Sequence, residues 1–277
     1  MQYVTSRLGT TALVLDSPHS GTWYPEDFGH ACDLAVLRMA EDTHVEKLYA
    51  FASELGVSWV EAHFPRSYVD VNRALEEFDT ELIEGAWPHP VSQGSKVRLG
   101  KGLVWRCTDD GTPIYGRRLS VEEVLRRIER CWYPYHEAVR TALDAAYDRH
   151  GYCVHLNCHS MPSVAAEYAT EFPGERHPDV VLGDRDGTTA ASALTASIAQ
   201  FLSSRGYEVA VNHPYKGVEL VRRYGRPSEH RHSIQIEVNR RLYMDEGTLE
   251  LHEGFERLQR DLRALIEHLL GFDPRRI

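Results

Sequence analysis

The feature that most constrains this chain is its alternation of short, almost unbroken apolar runs with longer amphipathic stretches. Ala12–Leu15, Ser58–His63, Tyr152–Asn157, Val180–Leu182, Glu208–Asn212 and Ser233–Val238 read as strands. Several are too apolar to expose one face to water, which places them in the middle of a sheet. Helices are expected over Asp33–Leu55, Val121–His150, Thr189–Arg205 and Thr248–Leu270. In the first, Leu34, Leu37, Val45, Leu48 and Tyr49 hold one face. In the second, Ser120 and Glu123 form a capping-box pattern, and Pro134 predicts a kink or a division into two helices. Gly56, Gly151 and Gly206 follow the ends of helical patterns, where a left-handed cap is usual. The alternation predicts an α/β fold with a mixed, mostly parallel central sheet and helices on both faces.

The 277 residues read as one domain over 1–277. The segment 84–116 breaks the rhythm with Pro88, Pro90, Pro113, Gly94, Gly100, Gly102 and Gly111, a composition expected of a lid or substrate loop. A net charge of -10 argues against a nucleic-acid partner. No run approaches the ~18 apolar residues of a membrane span. The opening "MQYVTSRLGT" lacks a signal-peptide core, so a cytoplasmic location is expected. The 5 cysteines form no CxxC and read as free thiols.

Ligands in open α/β sheets bind outside the carboxyl ends of the strands, and polar clusters fall at such ends. His19 in "SPHSG" and His159 in "NCHSMP" each end an apolar run and precede a serine. Neutral imidazole is the commonest metal-binding side chain, and a catalytic zinc takes three protein ligands plus water. Glu237 alternates with Ile234, Ile236 and Val238, beside Ser233 and Asn239. It reads either as a solvent-facing or salt-bridged strand residue, or as a general base near a metal. "PRSYVDVNR" offers Arg66, Asn72 and Arg73. The arginines either bind a substrate carboxylate and oxyanion or pair with Asp70 and the Glu76–Glu77 pair. A serine nucleophile at Ser20 or Ser160 is disfavoured because neither lies in a GxSxG elbow.

Together "SPHSGTWYP", "EDTHVEKLY", "PRSYVDVNR", "CHSMPS", "LGDRDGTT", "NHPYKG" and "IQIEVNRRLYMDE" resemble the N-formylglutamate amidohydrolase family, over residues 11–246. The resemblance implies a fold similar to zinc carboxypeptidases and aspartoacylases, and a zinc-dependent amidohydrolase acting on a small N-acyl amino acid. N-formyl-L-glutamate would give formate and L-glutamate, as in one histidine-degradation route. It implies that His19 and His159 bind the metal, that Glu237 is the base and Arg66 a catalytic cation, and that Asn72 and Arg73 hold the α-carboxylate. Carboxypeptidase-like enzymes place a glutamate three residues after the first histidine, where this chain has Thr22. Asp42 in "EDTHVEKLY" is therefore the expected third ligand, with Glu41 and His44 as alternatives. The family's usual aspartate before the later histidine is Asn157 here, and the second glycine of a double glycine is Val218, after Gly217. Lys216, with Arg117 and Arg222 as alternatives, is expected to meet the side-chain carboxylate. Competing readings are a different N-acyl amino acid and a metal-free carboxylate-binding protein on the same fold.

Overall fold

The computed structural model describes residues 2–165 and 173–276. Its strands are β1 (Val4–Arg7), β2 (Leu13–Ser17), β3 (Ser58–Ala62), β4 (Ile83–Glu84), β5 (Leu119–Ser120), β6 (Cys153–Met161), β7 (Val180–Gly183), β8 (Val209–Val211) and β9 (Arg231–Asn239). The helices are α1 (Leu34–Arg38), α2 (Val45–Leu48), α3 (Ser95–Arg98), α4 (Val121–Arg127), α5 (Tyr133–His150), α6 (Ser192–Ser204), α7 (Glu219–Tyr224) and α8 (Gly254–Leu270). A 7-stranded sheet has the order β1-β3-β2-β6-β9-β7-β8, and β4 pairs with β5 apart from it. β3, β2, β6 and β9 run parallel, β1 is antiparallel to β3, and β7 is antiparallel to β9 and parallel to β8. This is the mixed, mostly parallel α/β sheet expected.

Helices cover both faces. On one, α2, α6 and α8 pack Leu48, Ile198 and Leu262 against Leu13, Leu15, Leu156, Ile234 and Ile236. On the other, α4 and α5 bring Val124, Val139 and Ala142 to Val14, Val60 and Ala62. Strand alternation makes this second face unusual at its centre. Asp16, His155, Asn157, His159, Ser233, Gln235 and Glu237 occupy the positions opposite to the apolar ones, and all are buried. A buried polar stripe therefore crosses β2, β6 and β9 and runs to the carboxyl edge of the sheet.

Several boundaries differ from the sequence reading. The expected helix Asp33–Leu55 is broken into α1, α2 and a 3-10 turn at Ala52–Leu55. His44 adopts a left-handed φ of 68°, which interrupts the helix although the apolar residues on either side face buried cores. The break frees Glu41 and Asp42 from helical spacing. The division expected near Pro134 is realised: α4 and α5 are joined by a π-helical turn, Ile128–Trp132. β6 continues past Asn157 to Met161, so His159 lies within a strand. β1 was missed because an antiparallel edge strand with two exposed residues carries little apolar signal. α8 starts at Gly254, later than Thr248. Gly56, Gly151 and Gly206 have the left-handed conformation expected. The cysteines are free, and among the described residues no helix is long and apolar enough to cross a membrane.

Candidate active site

Because β2, β3, β6 and β9 are parallel, the segments that follow them open on one edge. After β2 the chain turns at Ser17–Gly21 and crosses the end of β3. A Cβ on Gly21 would lie 2.4 Å from the His63 carbonyl carbon, so only glycine fits. The Asp42 amide donates to the His19 carbonyl at 3.0 Å, which pins the broken helix against this turn. On the sheet, Glu237 is the register partner of His159, so both side chains rise from the same face.

The ring nitrogens meet. His19 Nδ1 lies 3.1 Å from His159 Nδ1, and Asp42 Oδ2 lies 2.9 Å from the latter and 3.4 Å from the former. The surroundings fix the tautomers. Asp70 Oδ1, 2.7 Å from His19 Nε2, can only accept, so Nε2 carries the proton. For His159 the argument passes through an amide. Asn157 Nδ2 donates to Asp16 Oδ1 at 2.8 Å, so its oxygen faces His159 Nε2 at 2.7 Å and accepts from it, the closer of two contacts, while the Asn72 Nδ2 donor at 3.2 Å also reaches the Asn157 oxygen at 3.5 Å. Both Nδ1 lone pairs and one carboxylate oxygen then point at a single locus. Three such acceptors repel one another unless a positive charge sits among them. Their separations match the edges of about 3.3 Å of a tetrahedron with metal–ligand bonds near 2.0–2.1 Å. His19, Asp42 and His159 form the cluster able to hold a metal among the described residues, and the donor set fits a divalent cation.

Asp42 uses its other oxygen, Oδ1, toward Arg240 at 3.4 Å and Arg66 at 3.6 Å. Burial opposes its charge, but hydrogen bonding to His159 and His19 and the Arg66 charge outweigh it and hold the carboxyl well below the usual range. Asp70 is likewise buried yet held low, by His19, Arg66 and Arg73. Glu237 behaves oppositely. Burial and the neighbouring Asp42 carboxylate push it up to about 8, against Arg66 and a hydrogen bond from Gln235 Nε2 at 2.7 Å. Arg66 spans the cluster: its Nη2 donates to Asp70 Oδ2 at 3.2 Å and its guanidinium lies 5.1 Å from the Trp105 ring.

Thus the structure brings together His19, Asp42, His159, Glu237 and Arg66. Asn72 lies below them, its Nδ2 3.2 Å from His159 Nε2 and its oxygen accepting from the Leu220 amide at 2.9 Å. Arg73 donates to the carbonyls of Asn72 and Lys101. Of the alternatives to Asp42, Glu41 accepts from Tyr24 at 2.8 Å, and His44 Nε2 contacts the Leu249 carbonyl. Lys216 does not join the group: its side chain is 58% exposed and pairs with Asp186 at 2.9 Å. Closeness to a motif had suggested it, but the loop turns it to solvent. Ser160 Oγ accepts from Arg240, and Ser20 Oγ pairs with Ser17, so neither hydroxyl has a histidine base in reach.

Sequence reasoning missed the supporting residues. Asp70 read as a partner for arginines, which it is, but its bond to His19 spans 51 positions. Asp16 sits in an apolar run, as Glu237 does, and that signal was available. Arg240, which follows β9, donates to the Met39 and Glu41 carbonyls and holds the segment bearing Asp42.

A parallel-stranded α/β sheet with a buried His–Asp–His centre and a raised glutamate at its carboxyl edge defines the class: an α/β protein with a candidate hydrolytic metal centre. The chain belongs to the N-formylglutamate amidohydrolase family, which it matches over residues 11–244. It is 30% identical over 285 positions to the N-formylglutamate deformylase of Pseudomonas aeruginosa, covering 99% of this chain and 98% of that protein. It is 30% identical over 243 positions to the N-formylglutamate deformylase of Pseudomonas putida, covering 86% and 84%. The crystal structure of N-formylglutamate amidohydrolase from Ralstonia eutropha JMP134 superposes with a TM-score of 0.95 at 46% identity, over 100% of both chains.

Proposed function

We propose that this protein hydrolyses N-formyl-L-glutamate to formate and L-glutamate, with zinc held by His19, Asp42 and His159. The observation that carries this reading is the convergence of two imidazole lone pairs and one carboxylate oxygen beside a buried glutamate. Membership of a family named for this substrate supports the choice of substrate. Zinc bound there would supply Lewis-acid polarisation and an acidified water.

The chain's own residues do the rest. Glu237, which rises beside His159 on the same face of the sheet, takes a proton from water and passes one to the departing amide nitrogen. Arg66, held by Asp70 and Asp42, presents fixed positive charge to the oxygen on which negative charge develops. Arg73 is assigned to the α-carboxylate, and Asn72 supports it from the level of His159. Water adds across the carbonyl–nitrogen bond. Its hydroxyl goes to the formyl carbon, releasing formate, and its hydrogen goes to nitrogen, releasing L-glutamate. The segment 84–116 walls this crevice: Trp105 packs by Arg66, and the Leu103 carbonyl accepts from the Asp70 amide at 2.7 Å.

The test is formate release from N-formyl-L-glutamate before chelation, after it, and after zinc restoration, with N-formyl-L-aspartate and N-acetyl-L-glutamate alongside. Release that is lost on chelation, restored by zinc and largest for the formylglutamate is the expected result. Greater turnover of another acyl amino acid replaces the substrate, and chelator-insensitive turnover overturns the metal.

A further inference from the structure

If the substrate is N-formyl-L-glutamate, its side-chain carboxylate needs a cation that a formyl amino acid with a neutral side chain does not. The cations suggested by motif proximity do not supply one. Lys216, Arg117 and Arg222 are each more than half exposed and are paired with Asp186, Glu123 and Glu219.

Lys101 differs in its burial. Its side chain is 12% exposed, and its ammonium lies 5.6 Å from the Trp105 ring that also carries Arg66 at 5.1 Å. Its carbonyl accepts from Arg73 Nε at 3.3 Å, so the residue is tied to the arginine assigned to the α-carboxylate. The Lys101 ammonium and the Arg66 guanidinium thus share one aromatic ring beside the site, and the Lys101 backbone anchors Arg73, which suits a ligand whose two carboxylates are joined by a short flexible chain. Lys101 pairs with Asp109, whose side chain is 46% exposed. Asp109 sits on a tight turn that does not need it. Asp110 Oδ1 accepts from the Thr108 hydroxyl at 2.5 Å and the Thr112 amide at 3.0 Å, and the Thr108 amide donates to the Thr112 carbonyl. The Asp109 charge also acts on Arg66, so the ion pair lies within electrostatic reach of the site.

We propose that Lys101 is the residue that selects a substrate with a side-chain carboxylate, and that this carboxylate replaces Asp109 on the ammonium when substrate enters. This rests on the reading that the substrate is an N-formyl amino acid. The exchange is favourable for one kind of ligand. An incoming carboxylate keeps the half-sequestered ammonium neutralised by a charge-assisted hydrogen bond, while the exposed Asp109 returns to water at little cost. An incoming amide offers no charge. It either leaves the ion pair intact and gains nothing, or displaces a carboxylate from the ammonium without replacing its charge.

The decisive measurement is the ratio of kcat/KM for N-formyl-L-glutamate over N-formyl-L-glutamine, which keeps the α-carboxylate but has a neutral side chain of nearly the same shape. Lys101→Gln should lower that ratio by about 30-fold, chiefly through KM, as expected for losing one hydrogen bond to a charged group. Lys101→Arg should keep most of the preference, which separates lost charge from a disturbed wall. Asp109→Asn, which removes the competing carboxylate, should lower KM for N-formyl-L-glutamate. An equal loss on both substrates in Lys101→Gln, or a raised KM in Asp109→Asn, overturns the proposal. If the wild-type protein hydrolyses neither compound, the functional reading fails by itself. Calorimetric binding of L-glutamate against L-glutamine then decides: a preference for glutamate that Lys101→Gln removes supports the role of Lys101. No preference, or one that survives the substitution, overturns it.

Discussion

His19 and His159 present the same atom to the same locus but are held in different ways. His19 donates directly to a carboxylate, Asp70, which also accepts from Arg66 and the Asn72 amide. His159 donates to an amide, Asn157, and the carboxylate lies one residue further back, at Asp16 in the neighbouring strand. The Asp16 support is built into the sheet core, where Tyr135 and His155 complete its hydrogen bonds at 2.8 and 3.0 Å. The Asp70 support is built into the loop that carries Arg66. A carboxylate in direct contact raises ligand basicity more than an amide does. The first support therefore tunes the centre electronically, whereas the second chiefly fixes a ring and helps to hold the sheet.

The largest expected effect on the metal centre comes from breaking the first support. Asp70→Asn removes the acceptor that sets the His19 tautomer and the partner of Arg66. It should weaken zinc binding by about 10–100-fold, measured by competition with a chelating dye. Asn157→Ala should weaken it less while costing more stability. The reverse order would show that the two supports have been assigned the wrong roles.

A charge swap sharpens the contrast. Asn157→Asp alone places a carboxylate against Asp16 where the amide now donates at 2.8 Å. Two buried like charges there should cost about 3 kcal/mol in chemical denaturation. Adding Asp16→Asn moves the single carboxylate next to His159 and restores a donor between the two positions. The double variant should recover most of the stability and bind zinc more tightly than the wild type, because His159 would then have a support like that of His19. No recovery would mean that Tyr135 and His155 require the carboxylate at position 16 itself.

The comparison also explains what could be read in advance. His19, His159 and Glu237 stood out because each is a polar residue set in or against an apolar run, and Asp42 through its motif. The fold class followed from the same runs. The supports stayed hidden because they are relations between strands: Asn157 and Asp16 are 141 positions apart, and no local spacing reports a cross-strand bond. The helix expected over Asp33–Leu55 failed for a related reason. Apolar periodicity records which residues reach a core, and it survives the turn at His44 that releases Asp42 from the helix.

A smaller effect tests whether both carboxylates are charged where they lie. Burial would raise Asp16, but His155, Asn157 and Tyr135 hold it below its usual range, and Asp70 is held well below. A folded pKa below the unfolded value of about 3.9 contributes stability above that pH and loses it as pH falls toward the folded value. Metal-free protein should therefore lose stability progressively below about pH 4. Asp70→Asn should flatten that acid limb more than Asp16→Asn, in melting curves recorded from neutral to acid pH. Equal flattening would place the two carboxylates in equivalent electrostatic settings.

The smallest expected effect sets both supports against an exposed ion pair. Lys216 and Asp186 lie 2.9 Å apart, as close as many buried contacts at the centre, yet their side chains are 58% and 62% exposed. Water solvates both charges nearly as well apart as together, and salt screens what attraction is left. Lys216→Ala should change stability by no more than about 0.5 kcal/mol and leave the KM for N-formyl-L-glutamate near its wild-type value. The contact distance alone would rank this pair with His19 and Asp70, and burial is what separates them. A KM raised many-fold by Lys216→Ala would show that the loop after β8 swings its lysine onto bound substrate, and the selection assigned to Lys101 would then have to be shared.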